Sequence, residues 1–204
     1  MEVPFTQVRI QDAFWSPRIE TNRTVSIPSA FRECEKNGRF DNFAIAGGLK
    51  EGEHRGDFSF DDTDPYKIIE GASYSLAVKY DARLDAYLDS VIALIAAAQE
   101  SDGYLTTCVT NRCTRLSGWW GTHRWKKINS HELYNSGHLY EAAVAHYRAT
   151  GKRSLLDVAI KNADLVCRVF GPDEGQKHVP SGHPIVEMAL AKLYKVTGKE
   201  EYLR

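Results

Sequence analysis

Apolar residues recur at helical spacing along most of the chain. Leu88, Val91, Ile92 and Ile95 follow one another at i, i+3, i+4 and i+7, which places them on one face of a helix. The same spacing predicts further helices near residues 24–37, 64–80, 131–149, 153–170 and 184–196. Patterns of alternating polar and apolar residues are nearly absent after residue 20. The pattern therefore predicts an all-α fold.

The first part of the chain is patterned differently. Val8 and Ile10 alternate with polar neighbours, which predicts a short strand within a lead-in segment of residues 1–20. Residues 41–63 contain many charges and a Gly-Gly pair, and this composition is typical of a loop. Asp64-Pro65 then predicts the start of the next helix, with Asp64 as its N-cap.

A short internal repeat marks the ends of two helices. Thr150-Gly151-Lys152 and Thr197-Gly198-Lys199 each follow an apolar helix, with glycine as a left-handed C-cap. The repeating unit is a helical hairpin of roughly 40–50 residues. The second copy is followed by only five residues. We therefore expect residues 1–204 to form one partial domain, the front part of a longer ring of hairpins.

Charge and composition exclude several classes of protein. The chain has 204 residues, 26 Lys+Arg against 27 Asp+Glu, and 43% hydrophobic residues, so we expect a globular protein without a nucleic-acid partner. No apolar run reaches the roughly 20 residues that span a bilayer, so no membrane association is expected. The first residues lack the pattern of a secretory signal, which favours a cytoplasmic location. Four cysteines without a C-x-x-C pair are expected as free thiols, although Cys108 and Cys113 lie in a loop and could also be ligands or a disulfide.

Polar residues cluster at the starts of two apolar helices. His131 and His138 begin one helix, and His183 precedes Pro184 at the start of another. Polar groups at the mouth of an apolar scaffold are typical of a small-molecule site. His131-Glu132 resembles the start of a zinc-binding H-E-x-x-H helix, but Asn135 stands where the second histidine is needed. The alternative is that these histidines are a helix-end residue and a hydrogen-bonded core residue.

Other candidate groups are less specific. Asp64, Tyr66 and Lys67 form a polar cluster at a helix start, which ordinary capping also explains. A turn at Asp102-Gly103 is expected to direct Tyr104 toward the same cleft. The tryptophans of the loop at 103–128 could stack on sugar rings or pack the loop onto the fold. The candidate general acids and bases are glutamates, and spacing selects no pair among Glu70, Glu132, Glu141 and Glu187.

Several segments together resemble glycoside hydrolase family 127, the β-L-arabinofuranosidases. They are His131-Glu132-Leu133-Tyr134, Gly137-His138-Leu139, Asp102-Gly103-Tyr104-Leu105 and Gly182-His183-Pro184, with Asp64-x-Tyr66-Lys67. The resemblance covers nearly the whole chain. It implies the first half of an (α/α)6 barrel and retaining hydrolysis of terminal β-L-arabinofuranosyl residues from an arabinose-containing oligosaccharide.

The resemblance also implies which residues bind the sugar and which are absent. His131 and His183 are implied to hydrogen-bond arabinofuranose hydroxyls, and Asp64, Tyr66, Lys67 and Tyr104 are the further candidate binding residues. The family's nucleophile is a zinc-bound cysteine, with further cysteines and a glutamate as ligands. This chain has no adjacent cysteine pair, so we expect neither the nucleophile nor bound zinc in this segment, which should be inactive alone.

Two alternative functions stay open on the sequence. One is a different (α/α)6 sugar enzyme, such as an epimerase or an unsaturated glucuronyl hydrolase, which would use histidine or aspartate without zinc. The other is a non-catalytic helical-repeat scaffold that binds protein along a groove.

Overall fold

The computed structural model describes residues 3–121 and 123–204, and it confirms the all-α fold. Ten α-helices are present in this part of the chain: α1 Trp15–Thr21, α2 Ile27–Lys36, α3 Arg39–Ala46, α4 Thr63–Val78, α5 Ala82–Ala98, α6 Thr107–Thr110, α7 Ser117–Trp120, α8 Glu132–Thr150, α9 Ser154–Val169 and α10 Ile185–Thr197. Short 3-10 turns lie between several of them. None of the described helices has both the length and the apolar character needed to cross a membrane.

The helices form two packed rows of hairpins. One row runs α2, α4, α8, α10, and the other runs α3, α5, α9, with neighbours in each row in contact. The pairs α2/α3, α4/α5 and α8/α9 also pack across the rows. This double layer is the arrangement of an (α/α) barrel. The centrally placed α8 is buried along most of its length, and Leu139, Tyr140 and Ala143 pack in the core.

The Thr-Gly-Lys repeat is confirmed by the backbone. Gly151 and Gly198 end α8 and α10 with φ values of 75° and 73°, the left-handed region that glycine adopts at little steric cost. The lysine that follows each glycine binds an outer helix. Lys152 Nζ lies 2.7 Å from carboxylate oxygens of both Asp85 and Asp89 on α5.

The second copy uses the same device. Lys199 Nζ lies 2.7 Å from Asp164 Oδ1 on α9. Asp85 and Asp164 each also accept a hydrogen bond from a tyrosine hydroxyl. Tyr80 donates to Asp85 at 2.9 Å, and Tyr202 donates to Asp164 at 2.6 Å. The repeat therefore encodes a recurring polar link between a helix end and an outer helix.

The predicted N-terminal strand is wrong. Residues 8–11 have no regular structure, and Val8 and Ile10 remain 46% and 49% exposed. A strand needs a partner for its backbone groups, and in the described part of the chain the only β pairing is an isolated bridge between Phe170 and Lys177. Alternation over two apolar residues was too short a signal to define a strand.

The predicted loop at 41–63 is wrong in its first six residues. They belong to α3, in which Phe40 and Phe43 are buried against the core, and the α3 side chains pack on α5. Gly38, at φ 73°, makes the tight link from α2. The charged residues that indicated a loop occupy the exposed side of this short helix and the segment after it.

Two predicted helix starts also differ from the structure. Helical backbone begins at Trp15, nine residues before the predicted start at residue 24. It continues through a π turn at Asn22–Ser26 into α2. Helix α4 begins at Thr63, so Asp64 is not its N-cap. The carboxylate of Asp64 instead accepts a hydrogen bond from Arg39 Nε at 2.9 Å. Asp64 therefore forms an ion pair with Arg39 and does not cap the helix.

Candidate functional site

The ring of Tyr134, on the first turn of α8, is surrounded by three histidines. Ring-centroid distances are 4.6 Å to His138, 4.7 Å to His183 and 5.7 Å to His131. His131 and His138 flank Tyr134 at helical spacings of three and four residues. His183 comes from the segment before α10, which packs beside α8. The structure thus brings together the two histidines that the sequence singled out.

The ring orientation of His131 is held by one backbone hydrogen bond. Its backbone is left-handed, with φ 58°, directly before α8. Its Nδ1 lies 2.7 Å from the carbonyl oxygen of Asn129. A carbonyl only accepts, so Nδ1 carries the proton, and Nε2 of the neutral ring is an acceptor.

His183 has the opposite arrangement. The backbone N–H of Ile185 donates to His183 Nδ1 at 3.3 Å. Nδ1 therefore accepts, and the proton of the neutral ring is on Nε2, which is a donor. The ring of His183 is exposed. Two imidazoles beside one tyrosine ring thus offer one acceptor and one donor.

Lys67 joins this cluster from α4. Its Nζ donates to the Tyr134 hydroxyl at 2.7 Å and to Thr63 Oγ1 at 3.1 Å, and it lies 4.9 Å from the centre of the Tyr134 ring. The side chain of Asp64, three residues earlier, is 47% exposed and bound to Arg39. Lys67 therefore belongs to the Tyr134 cluster, and Asp64 lies one helical turn away.

Aromatic rings from two other segments extend the cluster. The Phe60 ring lies 4.7 Å from His131 and 6.0 Å from Tyr134, and it contacts Phe58 at 5.0 Å. Trp119, on α7, lies 6.0 Å from Phe60 and 6.4 Å from His131. We call Phe58, Phe60 and Trp119 the aromatic wall. Phe58 and Trp119 remain partly exposed, so rings are accessible beside the histidines.

His138 lies deeper than the other two histidines. Its Nδ1 is buried without a hydrogen-bond partner. Burial, together with the nearby charges of Lys67 and His183, lowers the pKa of His138 to about 4. The ring is therefore neutral at pH 7.

Tyr104 and Glu132 form a buried pair behind the cluster. The Tyr104 hydroxyl donates to Glu132 Oε1 at 2.5 Å, and Tyr104 is only 1% exposed. Glu132 also accepts hydrogen bonds from the Trp125 backbone N–H at 2.8 Å and from Ser130 Oγ at 2.6 Å. Burial raises the pKa of Glu132. This carboxyl group holds the loop before α8 in place, and its contacts explain why Tyr104 lies away from the Tyr134 ring.

Tyr66 is also enclosed. It is fully buried on α4, and its hydroxyl has no hydrogen-bond partner. Burial raises the pKa of Tyr66, and the nearby Asp62 adds to this effect. The Asp62 carboxylate accepts two hydrogen bonds from Thr107, and burial raises its pKa to about 6. Tyr66 therefore lies beneath the surface that carries Lys67.

Sequence reasoning missed the centre of the site. The motif that contains Tyr134 assigns no role to its ring, and no pattern in the sequence marks Phe58 or Phe60. The spacing of Tyr134 between His131 and His138 was the available signal. No sequence signal predicts the contacts of Phe60 and Trp119 with this cluster, because both residues lie outside α8 in other segments of the chain.

Two groups of side chains in the described part of the chain have the composition of metal sites. They are Asp85, Asp89 and His146, and His54, Cys108 and Cys113. In the first group the ammonium of Lys152 already forms ion pairs with both carboxylates. The second group consists of buried side chains.

The two layers of helical hairpins place the chain in the class of (α/α)-barrel proteins. A profile of the GH127 catalytic domain of β-L-arabinofuranosidases matches residues 7–204. The chain therefore belongs to glycoside hydrolase family 127, as its motifs predicted.

Individual relatives agree with this assignment. A non-reducing end β-L-arabinofuranosidase of Bifidobacterium longum subsp. longum is 45% identical over 164 residues, which are 79% of this chain and 24% of the relative. The structure of a GH127 β-arabinofuranosidase is 51% identical, with a TM-score of 0.92 over 98% of this chain and 32% of that chain. A GH127 β-L-arabinofuranosidase from Geobacillus stearothermophilus T6 is 41% identical, with a TM-score of 0.89 over 96% and 31% of the two chains. The chain thus spans about a quarter to a third of these relatives.

Proposed function

We propose that this chain supplies the sugar-binding surface of an enzyme that removes β-L-arabinofuranosyl residues from the non-reducing ends of oligosaccharides. The observation that carries the proposal is the placement of His131 and His183 beside one tyrosine ring, with opposite hydrogen-bonding roles. The relatives named above are β-arabinofuranosidases, which supports a furanose as the sugar.

The two imidazoles match the chemistry of sugar hydroxyls. A hydroxyl group donates one hydrogen bond and accepts others. The acceptor Nε2 of His131 accepts a hydrogen bond from one hydroxyl, and the Nε2–H of His183 donates a hydrogen bond to a hydroxyl oxygen. Each ring is held through its Nδ1 by the backbone, so little orientation is lost on binding.

The remaining candidates act at different distances from the sugar. Lys67 donates to the Tyr134 hydroxyl and keeps an exposed ammonium, which suits a further hydroxyl oxygen. Asp64 has an exposed oxygen surface beside Arg39. Tyr66 and Tyr104 are buried, so we assign them to positioning: Tyr104 through Glu132, and Tyr66 beneath Lys67.

The aromatic wall supplies the apolar part of recognition. C–H faces of a sugar pack on aromatic rings, and Phe60 and Trp119 lie within ring-contact distance of His131.

Catalysis is assigned to residues outside this chain. The zinc-bound cysteine nucleophile that the family implies needs adjacent cysteines, and none of the four cysteines has a cysteine neighbour. Zinc would supply a thiolate nucleophile there at neutral pH. We therefore expect the 204 residues to bind the sugar but not to hydrolyse it.

Binding of methyl β-L-arabinofuranoside, measured by NMR on the histidine ring signals, tests the proposal. His131→Asn keeps a residue type that tolerates a left-handed backbone, so it removes the imidazole with little added strain. We expect His131→Asn and His183→Ala each to weaken binding about 10-fold or more, which is the loss of one well-placed polar contact. His178→Ala, at an exposed ring on another loop, is the matched control.

Equal binding by all these variants and the unmutated chain would remove the sugar role of the two histidines. Hydrolysis of an aryl β-L-arabinofuranoside by the 204 residues alone would contradict the assignment of catalysis to another part of the enzyme.

A further inference from the structure

Three potential metal ligands meet away from the Tyr134 ring. They are His54, from the loop after α3, Cys108 on α6, and Cys113, which follows α6. One ring nitrogen of His54 and the two sulfur atoms all lie within 4.8 Å of one another. His54, Cys108 and Cys113 are 9%, 1% and 7% exposed. A compact N/S/S group of this kind is a soft donor set enclosed by the fold.

The segments that carry these ligands are held in place by other contacts. The Asn42 side chain binds the backbone of Arg55 on both sides, accepting from its N–H at 2.8 Å and donating to its carbonyl at 2.7 Å. Asn111 Nδ2 donates to the Asn42 carbonyl at 3.0 Å. The Cys113 N–H donates to the Cys108 carbonyl at 3.0 Å. The three ligand side chains are therefore preorganised without any contribution from a metal.

One atom of this group lacks a partner. Nε2 of His54 is buried and has no hydrogen bond, whereas nearly all buried polar atoms in proteins have one. His54 Nδ1 lies 3.5 Å from Asn111 Nδ2, so Nε2 is the ring nitrogen that a cation would have to satisfy.

We propose that His54, Cys108 and Cys113 bind one zinc ion as a structural site. The Cys-x4-Cys spacing lies within the range of structural zinc sites, and zinc prefers thiolate and imidazole ligands in tetrahedral geometry. Two thiol protons leave to solvent as zinc binds, so the bound group is electrically neutral. This assigns zinc to the chain itself, in contrast to the expectation from its cysteine pattern.

The site would stabilise the segment that carries the aromatic wall. Cys108, Cys113, Leu116 and Trp120 form one buried cluster, and Trp120 Nε1 donates to the Cys113 carbonyl at 3.1 Å. Trp119, the residue before Trp120 on α7, contacts Phe58 and Phe60. Zinc would thus connect the loop after α3 to the helix that presents Trp119. This role is structural and does not depend on which sugar is bound.

Metal titration of the reduced, chelator-treated 204-residue chain tests the proposal. We expect one equivalent of Zn²⁺ to bind and to raise the unfolding temperature. Co²⁺ should bind at the same place and give a thiolate-to-cobalt charge-transfer band, which requires cysteine ligands. Zn²⁺ should also protect Cys108 and Cys113, but not Cys167, from alkylation mapped by mass spectrometry. The alkylation arm uses the unmutated chain, so it does not depend on a variant that folds.

Variants assign the ligands. Cys108→Ser, Cys113→Ser and His54→Gln should each weaken Zn²⁺ binding at least 10-fold, and the two cysteine variants should reduce the charge-transfer band. Cys34→Ser is the matched control, because Cys34 is also a buried free thiol but lies outside the group. Full binding by the Cys108 and Cys113 variants would overturn the proposal. So would a Cys108–Cys113 disulfide in chain purified without reductant or chelator, or unprotected thiols at saturating Zn²⁺.

Discussion

His131 and Glu132 are consecutive residues with different tasks. His131 turns its ring toward Tyr134 from a left-handed backbone position, which few non-glycine residues adopt. Glu132 points the other way and accepts hydrogen bonds from three groups of the preceding loop and core. The strained histidine is thus supported by a buried carboxylate next to it, as expected where a scaffold over-determines a binding residue.

Replacing Glu132 by glutamine tests this support. The carboxylate accepts hydrogen bonds from Tyr104, Trp125 and Ser130 on two oxygens, whereas the amide of glutamine has only one oxygen to accept them. We expect Glu132→Gln to lower the free energy of unfolding by about 2–3 kcal/mol, measured by urea denaturation. Glu33→Gln, at an exposed ion pair, should change it by less than about 0.5 kcal/mol. Equal effects of the two variants would show that the buried network adds no stability.

The depressed pKa of His138 makes a defined contribution to the pH dependence of stability. The pKa is about 4 in the folded chain and 6.5 for an ordinary histidine. Between these values the unfolded chain binds a proton that the folded chain does not, so stability is present above pH 6.5 and is lost as pH falls toward 4. Because the ring is only half-buried, we expect this loss to be about 1–2 kcal/mol.

Comparison of unfolding free energies for the unmutated chain and His138→Gln between pH 4 and pH 7 isolates this effect. The difference removes the opposite contribution of Asp62, whose raised pKa favours the folded state at low pH. His178→Gln, at an exposed ring, is the control. Parallel profiles for the chain and His138→Gln would contradict the assignment of a buried neutral imidazole.

At the scale of elements, the contact between α8 and α10 sets the position of His183. A Cβ on Gly137 of α8 would lie 2.7 Å from Ile185 Cγ2 and 2.8 Å from the Val186 backbone nitrogen. These atoms belong to the first turn of α10, which begins two residues after His183. The absence of a side chain at Gly137 therefore lets the two helices approach, and this approach brings His183 to Tyr134.

Gly137→Ala should push α10 away from α8. We expect a loss of about 2–3 kcal/mol in the free energy of unfolding from overpacking, and weaker binding of methyl β-L-arabinofuranoside. Gly71→Ala on α4 is the matched control, since no heavy atom lies within 4 Å of its added Cβ. That variant should gain about 0.5–1 kcal/mol from helix propensity. A Gly137→Ala chain as stable as Gly71→Ala would show that the helices are not in close contact.

At the scale of the whole molecule, repeated polar links connect successive hairpins. Lys152 binds Asp85, and Lys199 binds Asp164, each after the same Thr-Gly end of a helix. Burial alone would raise the pKa of Asp85, but hydrogen bonds from Lys152 and Tyr80 outweigh it and lower that pKa. The same balance lowers the pKa of Asp164. The repeated motif thus fixes neighbouring units by the same interaction.

These links should act independently, because they share no residue. We expect Lys152→Met and Lys199→Met each to cost about 0.5–1.5 kcal/mol, since the pairs are partly exposed. The double variant should lose the sum of the two values within about 0.5 kcal/mol, measured by urea denaturation. Lys50→Met, which removes an ion pair at the surface, is the control. A double variant no less stable than either single variant would indicate one coupled network.

The sequence by itself determined the helices and their repeat. Apolar residues at helical spacing fix which face of α5 or α9 is buried, and a glycine after the last turn ends α8 and α10 at the predicted place. The GH127 motifs gave the family and the two histidines at helix starts. These features are local in sequence, or carried by motifs, and so can be predicted without coordinates.

The tertiary structure alone decided how those residues meet. Phe60, Trp119 and His183 lie near Tyr134 although they come from separate segments. Asp64 forms an ion pair with Arg39 and not the predicted helix cap. His54 meets Cys108 and Cys113 across about fifty residues of chain for the same reason. Such contacts are stabilised by burial and by pairing between distant segments. Helical periodicity shows which residues share a face of one helix, but it does not show which distant segments will pack together.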